Sequence, residues 1–310
     1  MATDNEYRLM NMIDEKARLA GSNKMELLLF SLGSTETFGI NVFKVREVCE
    51  TLPITKTPNM PHGVKGIISL RGAILPVLDL ANCLNMGNEA ERSKLIITEF
   101  SSHTQAFLVA DVDRIVRVDW EQVKSPQSIG QNQSTMITAL TELPDGKLVS
   151  ILDVEQILGD VIGEKAVPAM DALVPGKPHP VFFADDSNIA RKKITEVLDA
   201  LKLPHQSAIN GREAWEKLCN IAARSEQERK DIKDVISLIL VDAEMPEMDG
   251  YVLTRNIKSD PRFKGIPVVM HSSLSSVANK KLGQQVGVDA YVAKFHPEEL
   301  ASMVSSMLPA

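Results

Sequence analysis

Four apolar runs in the C-terminal half of the chain end in residues that could act together: Asp185 and Asp186 follow VFFA, Asp242 ends ISLILV, Ser272 and Ser273 follow VVMH, and Lys294 follows AYVA. Three carboxylates gathered in one crevice repel strongly unless a cation joins them, and all-oxygen ligation with room for water suits Mg2+. A carboxylate beside Mg2+ and an ammonium can attack a phosphoryl donor, because the cations stabilise the charge on the transferring oxygens. Ser272 offers a hydroxyl to a phosphoryl oxygen once the group has arrived. Taken singly, an Asp is a common helix cap and a Lys a common surface residue. Their joint placement at the ends of the first, third, fourth and fifth predicted strands is what points to chemistry.

The elements that must position these residues alternate between strand and helix. VFFA leads to a helix over 187–201, HQSAI to a helix from Arg212, and ISLILVD to a helix from Tyr251; PVVMHSS, a helix near 277–286, DAYVAK and a last helix complete the series. Pro297 suits the first position of that last helix, and Glu298 and Glu299 favour its positive end. Five such units predict a doubly wound α/β domain, a five-stranded parallel sheet with helices on both faces. In open sheets of this kind ligands gather beyond the carboxyl ends of the strands, where the acids, Ser272 and Lys294 stand. SEQERKDIKD at 225–234 reads as a charged, solvated loop.

Upstream, AVPAMDALVPGKPHP at 166–180 breaks all periodicity and reads as a linker. The expected organisation is therefore a leading helix within 1–23, an all-β domain over 24–164, a linker over 165–180 and the α/β domain over 181–310. The β domain is announced by MELLLFSL, TFGINV, VKGIISL, AILPVLDL, KLIITEF, QAFLVADV and KLVSILDV, short strands separated by turn residues. Nothing in it has catalytic spacing, since His62 and His103 are isolated and no phosphate loop is present. Its most informative stretch is a hairpin, in which two apolar strands flank Arg71-Gly72; the glycine suits a turn with positive φ and displays the arginine at the tip. VFKVREV reads as an amphipathic element with Val42, Val45 and Val48 inward, leaving Arg46 and Glu47 outside.

Composition removes several classes. The chain has 310 residues and a formal net charge of −7, and residues 1–170 hold 16 basic against 22 acidic side chains, so neither half offers the basic surface nucleic acid requires. No apolar run reaches the length of a membrane span and the start lacks a signal-peptide pattern, which predicts a cytoplasmic protein. Cys49, Cys83 and Cys219 lie far apart, the pattern of buried, inert thiols.

The C-terminal residues resemble the receiver domains of two-component response regulators, with a flavodoxin-like fold. The match over about 181–308 rests on Asp185-Asp186, on LILVDAEMPEMDGY, on Ser272 and on Lys294. The resemblance implies Asp242 as phosphoacceptor, Ser272 and Lys294 as its catalytic partners, and Mg2+ held by Asp185, Asp186, Asp242 and the backbone carbonyl of Glu244. It also implies Tyr291 as the aromatic switch. Lys294 is followed by Phe295 where the family usually has proline, and a cis bond there would cost about 2.5–4 kcal/mol, so a trans bond is expected. FSLGSTETFGINVFKVREV with NMPHGVKGIISLRGAILPVLDL is similar to CheW-type coupling domains, whose fold is a pair of SH3-like barrels with a hydrophobic seam. That resemblance implies Arg71, Val45, Arg46 and Glu47 as a surface for a chemoreceptor's cytoplasmic hairpin or for the chemotaxis histidine kinase.

A coupling domain followed by a receiver resembles the CheV-type chemotaxis proteins and implies a phosphorylation-controlled adaptor recruited to membrane receptor arrays. Two alternatives differ in class. One is a receiver acting as a phosphate sink beside a constitutive coupler. The other is a Mg2+-dependent phosphohydrolase, which needs a D-x-D pattern after the first strand where this chain has adjacent acids. The receiver resemblance places Glu244, two residues past Asp242, where fast-hydrolysing receivers carry an amide that helps orient the attacking water, and so implies slow self-dephosphorylation. Glu244→Asn is therefore expected to shorten the phosphoaspartate half-life several-fold, followed by intact mass after donor removal; an unchanged half-life contradicts this role.

Overall fold

A computed structural model describes residues 24–87, 90–100, 103–124, 136–162, 179–273, 283–294 and 296–308. The expected leading helix, most of the linker and Phe295 with its peptide bond lie outside these. The chain divides into two compact units, Lys24–Glu164 and Lys165–Ala310. Among the described residues no helix is long and apolar enough to cross a membrane.

The N-terminal unit is built from strands β1 (Lys24–Ser31), β2 (Thr37–Asn41), β3 (Val45–Glu50), β4 (Val64–Leu70), β5 (Ala73–Asp79), β6 (Lys94–Phe100), β7 (His103–Val109), β8 (Asp111–Asp119), β9 (Ile137–Glu142) and β10 (Leu148–Leu152), with short helices α1 (Leu80–Cys83) and α2 (Val154–Ile162). They form two five-stranded sheets, ordered β8-β1-β2-β10-β9 and β3-β6-β7-β5-β4. Each sheet curls until its edges meet. Thr55 and Ile67 exchange both backbone hydrogen bonds at 2.9 Å, and Lys124 and Leu140 do so at 2.8 Å. These bridges tie the chain after β3 to β4 and the chain after β8 to β9, removing edges that would otherwise invite pairing with other chains.

The period-two alternation of strands explains how the two barrels stack. On β1, Met25, Leu27 and Leu29 fill the first barrel with Val118, Trp120 and Val149. Leu28 and Phe30 point the other way, into a seam with Ile40 and Val42 near β2, Ile96 of β6, Phe107 and Val109 of β7, and Ile157 of α2. The second barrel closes over Leu75, Val77, Leu95, Ile97, Ala106 and Leu108. The apolar run of β1 thus has no polar face because both sides are core. Cys83 lies in the seam, and burial pushes its thiol up to about 11, in keeping with an inert side chain.

Three departures from the sequence reading concern strands. VFKVREV is a single 3-10 turn, Val42–Lys44, followed by β3 rather than one amphipathic element. β8 and β9 carry too many charged and polar residues to stand out as apolar runs. QAFLVADV, expected as one strand, breaks at Ala110, where the chain leaves the second barrel and enters the first as β8.

The C-terminal unit holds strands β11 (Val181–Ala184), β12 (His205–Ala208), β13 (Leu238–Val241), β14 (Val268–Ser272) and β15 (Ala290–Ala293), and helices α3 (Asn188–Ala200), α4 (Gly211–Glu228), α5 (Gly250–Ser259) and α6 (Pro297–Met307). The sheet order is β12-β11-β13-β14-β15, with every pairing parallel. Alternation again assigns the faces. Phe182, Ala184, Ile239 and Val241 pack with Leu218 and Leu253 of α4 and α5, while Val181, Phe183, Leu238 and Leu240 pack with Val197 and Leu300 of α3 and α6. Ser187, Asn210 and Asp249 cap the helices that follow β11, β12 and β13. The charged run 225–234 is not wholly a loop. Its first residues are the last turn of α4, ended by Arg229 at φ 51°, and Ile232–Asp234 form a 3-10 turn.

Closure of the second barrel needs glycine at 66, because a Cβ there would lie 2.3 Å from Ile54 Cγ2 and 2.6 Å from the Thr55 carbonyl oxygen. Gly66→Ala is expected to cost the N-terminal unit about 1–3 kcal/mol by forcing the bridge apart. Urea unfolding of the full chain checks this, and an unchanged midpoint contradicts it.

Candidate functional site

The carboxyl ends of β11, β13, β14 and β15 converge on one buried cluster. Asp185 and Asp242 are fully and almost fully buried, and the Lys294 side chain between them is 2% exposed. The ammonium reaches Asp242 Oδ2 at 2.9 Å and Asp185 Oδ2 and Oδ1 at 3.0 and 3.2 Å. Asp186 is half-buried beside them, and one oxygen from each of Asp185, Asp186 and Asp242 lies within 4.8 Å of the others. The donor set is all oxygen, anionic and close enough to share one small divalent cation, so the residues fit Mg2+. The Lys294 ammonium contributes one positive charge beside three carboxyl groups, an imbalance that a divalent cation would offset.

Local structure explains each position. Lys294 donates its backbone N–H to the Ser272 carbonyl at 3.1 Å, which sets the buried Ser272 beside the lysine at the sheet end. The Ser187 N–H donates to Asp185 Oδ1 at 3.0 Å, and Arg191 Nη1 donates to the carbonyls of Asp185 and Asp186, both at 2.8 Å. The acidic turn is therefore strapped to the first turn of α3. Glu244 is buried two residues past Asp242. Gly250 lets α5 begin against the phosphoacceptor candidate, since a Cβ there would sit 1.9 Å from the Asp242 carbonyl oxygen. Tyr291 is half-buried, and its hydroxyl donates to that of Tyr251 at 3.2 Å. Burial pushes both phenols above their ordinary range.

In the N-terminal unit Arg71 and Gly72 both have positive φ, 51° and 85°, the geometry of a tight hairpin between β4 and β5. Arg71 is displayed at the tip and pairs with Glu47 at 2.8 Å, so two of the four candidate partner residues meet on one surface. Arg46 pairs with Glu99 at 3.4 Å. Both ion pairs are substantially exposed and add little stability. Val45 does not belong to that surface. It is 4% exposed and packs into the seam, because the strand alternation that turns Arg46 outward turns Val45 in.

Sequence reasoning passed over three residues. His271 is buried with Nδ1 3.8 Å from Asp185 Oδ2. Arg191 was detectable as a cation one turn after the acidic pair on a predicted helix. Tyr251 meets Tyr291 across forty positions of chain, which no local spacing reveals.

Residues 26–161 match the CheW-like domain family, and 181–305 match the response regulator receiver domain family. Barrels and buried acidic cluster thus belong to a coupling module joined to a receiver. The chain is 33% identical over 279 residues to chemotaxis protein CheV3 of Helicobacter pylori, covering 87% of this chain and 88% of that one. It is 27% identical over 319 residues to CheV2 of the same organism, covering 96% and 98%, and 28% identical over 322 residues to its CheV1, covering 96% and 97%. The chain belongs to the CheV family of chemotaxis proteins.

Removing the ammonium leaves two buried carboxylates facing each other, whereas removing one carboxylate leaves Lys294 its other partner. Lys294→Met is expected to destabilise the receiver by about 3–5 kcal/mol, more than Asp242→Asn does. Thermal unfolding of the full chain without divalent cations ranks the two, and the reverse order contradicts the account.

Proposed function

We propose that the chain is a switchable adaptor: its CheW-like unit couples membrane chemoreceptors to the chemotaxis histidine kinase, and phosphorylation of Asp242 changes that coupling. The observation that carries this reading is the Lys294 ammonium within hydrogen-bonding distance of both Asp185 and Asp242, in a chain that also bears a CheW-like module.

Asp242 is the nucleophile. A carboxylate oxygen attacks the phosphorus of the kinase's phosphohistidine, an O–P bond forms, the P–N bond breaks, and the imidazole leaves with the electron pair and takes up a proton. Asp185, Asp186, Asp242 and the backbone carbonyl of Glu244 would hold Mg2+, which supplies charge neutralisation for the transferring oxygens. Lys294, already at Asp242, turns to a phosphoryl oxygen as the carboxylate is consumed, and Ser272 donates its hydroxyl to another. Tyr291 responds to the movement of Ser272. Glu244 places a carboxylate where water would have to be oriented, which favours a persistent phosphoryl group and suits a stored setting better than a rapid drain.

On the coupling unit, Arg71, Glu47 and Arg46 offer exposed charges to the receptor hairpin or to the kinase. An acidic or hydrogen-bonding partner group can replace the weak internal partner of Arg71 at small cost. The chain works as an adaptor placed in the cytoplasm at receptor arrays, and its chemistry acts on itself.

Intact mass after incubation with Mg2+ and acetyl phosphate tests the receiver reading. Wild type is expected to gain one phosphoryl group only when Mg2+ is present, and Asp242→Asn none; a gain in Asp242→Asn would overturn the assignment. Arg71→Ala is expected to weaken co-sedimentation with receptor-bearing membranes and kinase about 5- to 30-fold, the loss typical of a hot-spot arginine. Wild-type binding by that variant would remove the hairpin from the interface.

A further inference from the structure

Tyr291 is held from two sides by residues outside the receiver chemistry described above. Its hydroxyl donates to that of Tyr251 at 3.2 Å. Its ring lies against Gly283, in the helical segment 283–286, so closely that a Cβ at 283 would fall 2.3 Å from Tyr291 Cε2 and 2.7 Å from its hydroxyl oxygen. Glycine here makes room for one position of the ring, and Tyr251 gives that position a polar anchor. Tyr251 is 3% exposed, so its hydroxyl is cut off from bulk water and depends on protein groups for hydrogen bonding.

Tyr251 also stands beside the phosphoacceptor. It follows Gly250, whose N–H donates to the Ala243 carbonyl at 3.0 Å and whose Cα abuts the Asp242 carbonyl. The first turn of α5, capped by Asp249, is thus seated on the loop that carries Asp242 and Glu244. A shift of this loop moves the start of α5, and with it the anchor of Tyr291. This line runs through β13 and α5 and is separate from the one through Ser272 on β14.

We propose that Tyr251 is a positioning residue that holds the Tyr291 ring against Gly283 and so ties the rotamer of Tyr291 to the loop bearing Asp242. This rests on the reading of Tyr291 as the switch residue of the receiver. An ordinary buried hydrogen bond between neutral groups biases a two-position side chain by about 2- to 12-fold, enough to set which position predominates and weak enough for phosphorylation to reverse.

The chain has three tyrosines, Tyr7, Tyr251 and Tyr291, so fluorine NMR of the full chain labelled with fluorotyrosine yields few signals, assignable by Tyr→Phe replacements. Tyr251→Phe removes one hydroxyl and keeps the buried ring. The Tyr291 signal of that variant is expected to shift toward the solvent-exposed value and to broaden more with a soluble paramagnet, by the fold-change given above. A Tyr291 signal identical to wild type in position and accessibility overturns the proposal. Adding beryllofluoride with Mg2+ separates the underlying reading: if wild-type Tyr291 does not respond, Tyr291 is no switch and both fall, whereas a wild-type response unchanged in Tyr251→Phe overturns the role of Tyr251 alone. Gly283→Ala, which crowds the ring without touching the hydroxyls, is expected to displace the Tyr291 signal as well; an undisplaced signal would contradict the account of the ring's seat.

Discussion

The receiver depends on a single buried ammonium. Asp185 and Asp242 stand at the ends of adjacent parallel strands, nearly without solvent, and two carboxylates so placed could not both stay ionised without a cation between them. Lys294 provides it from the end of β15, two strands away from β13, so the cluster forms only when β13, β14 and β15 are in register. The same arrangement makes the site responsive. A change in the charge and shape of Asp242 would oblige Lys294 to find a new partner, and the end of β14 at Ser272 and the start of α5 at Gly250 lie directly against Lys294 and Asp242.

The coupling unit is governed by a different constraint, the need to cover both faces of strands such as β1, β6 and β7. Two small barrels alone would leave those outer faces wet; stacking them along the seam of Phe30, Ile96, Phe107 and Ile157 buries them. Val45 belongs to that seam, whereas Arg71, Arg46 and Glu47 ride on its exterior. A rigid seam beneath a charged hairpin gives a partner a surface of fixed geometry. For phosphorylation to matter to that surface, it must favour one state of the adaptor over another, because an equal effect on both states shifts nothing.

Much of the receiver was legible in the chain because each reactive residue directly follows a short apolar strand, so sequence adjacency stands in for spatial adjacency. The parallel sheet and the meeting of Asp185, Asp186, Asp242 and Lys294 followed from that rule, whereas the strand order β12-β11-β13-β14-β15 is set by crossovers that strand adjacency does not show. The β domain was harder. β8 interleaves its valines and isoleucine with Asp111, Asp113, Arg114 and Arg117, and β9 interleaves its apolar residues with Thr138 and Thr141, so neither presents an apolar run. β3 resembled a helical face because a valine every third residue fits a 3-10 turn running into a strand as well as it fits a helix. The bridges at Thr55 and Lys124, and the contact of Tyr251 with Tyr291, join distant positions through backbone or hydroxyl groups that leave no periodic trace.

The most direct test of the adaptor account is kinase activity in a reconstituted assembly of receptor, kinase and this chain, titrated with wild type or Asp242→Asn, with and without acetyl phosphate. Phosphodonor is predicted to shift the coupling curve of wild type and leave that of Asp242→Asn in place. Coincident curves in the presence of donor, with the phosphoryl group demonstrated on wild type by mass, would contradict the claim that the receiver controls coupling.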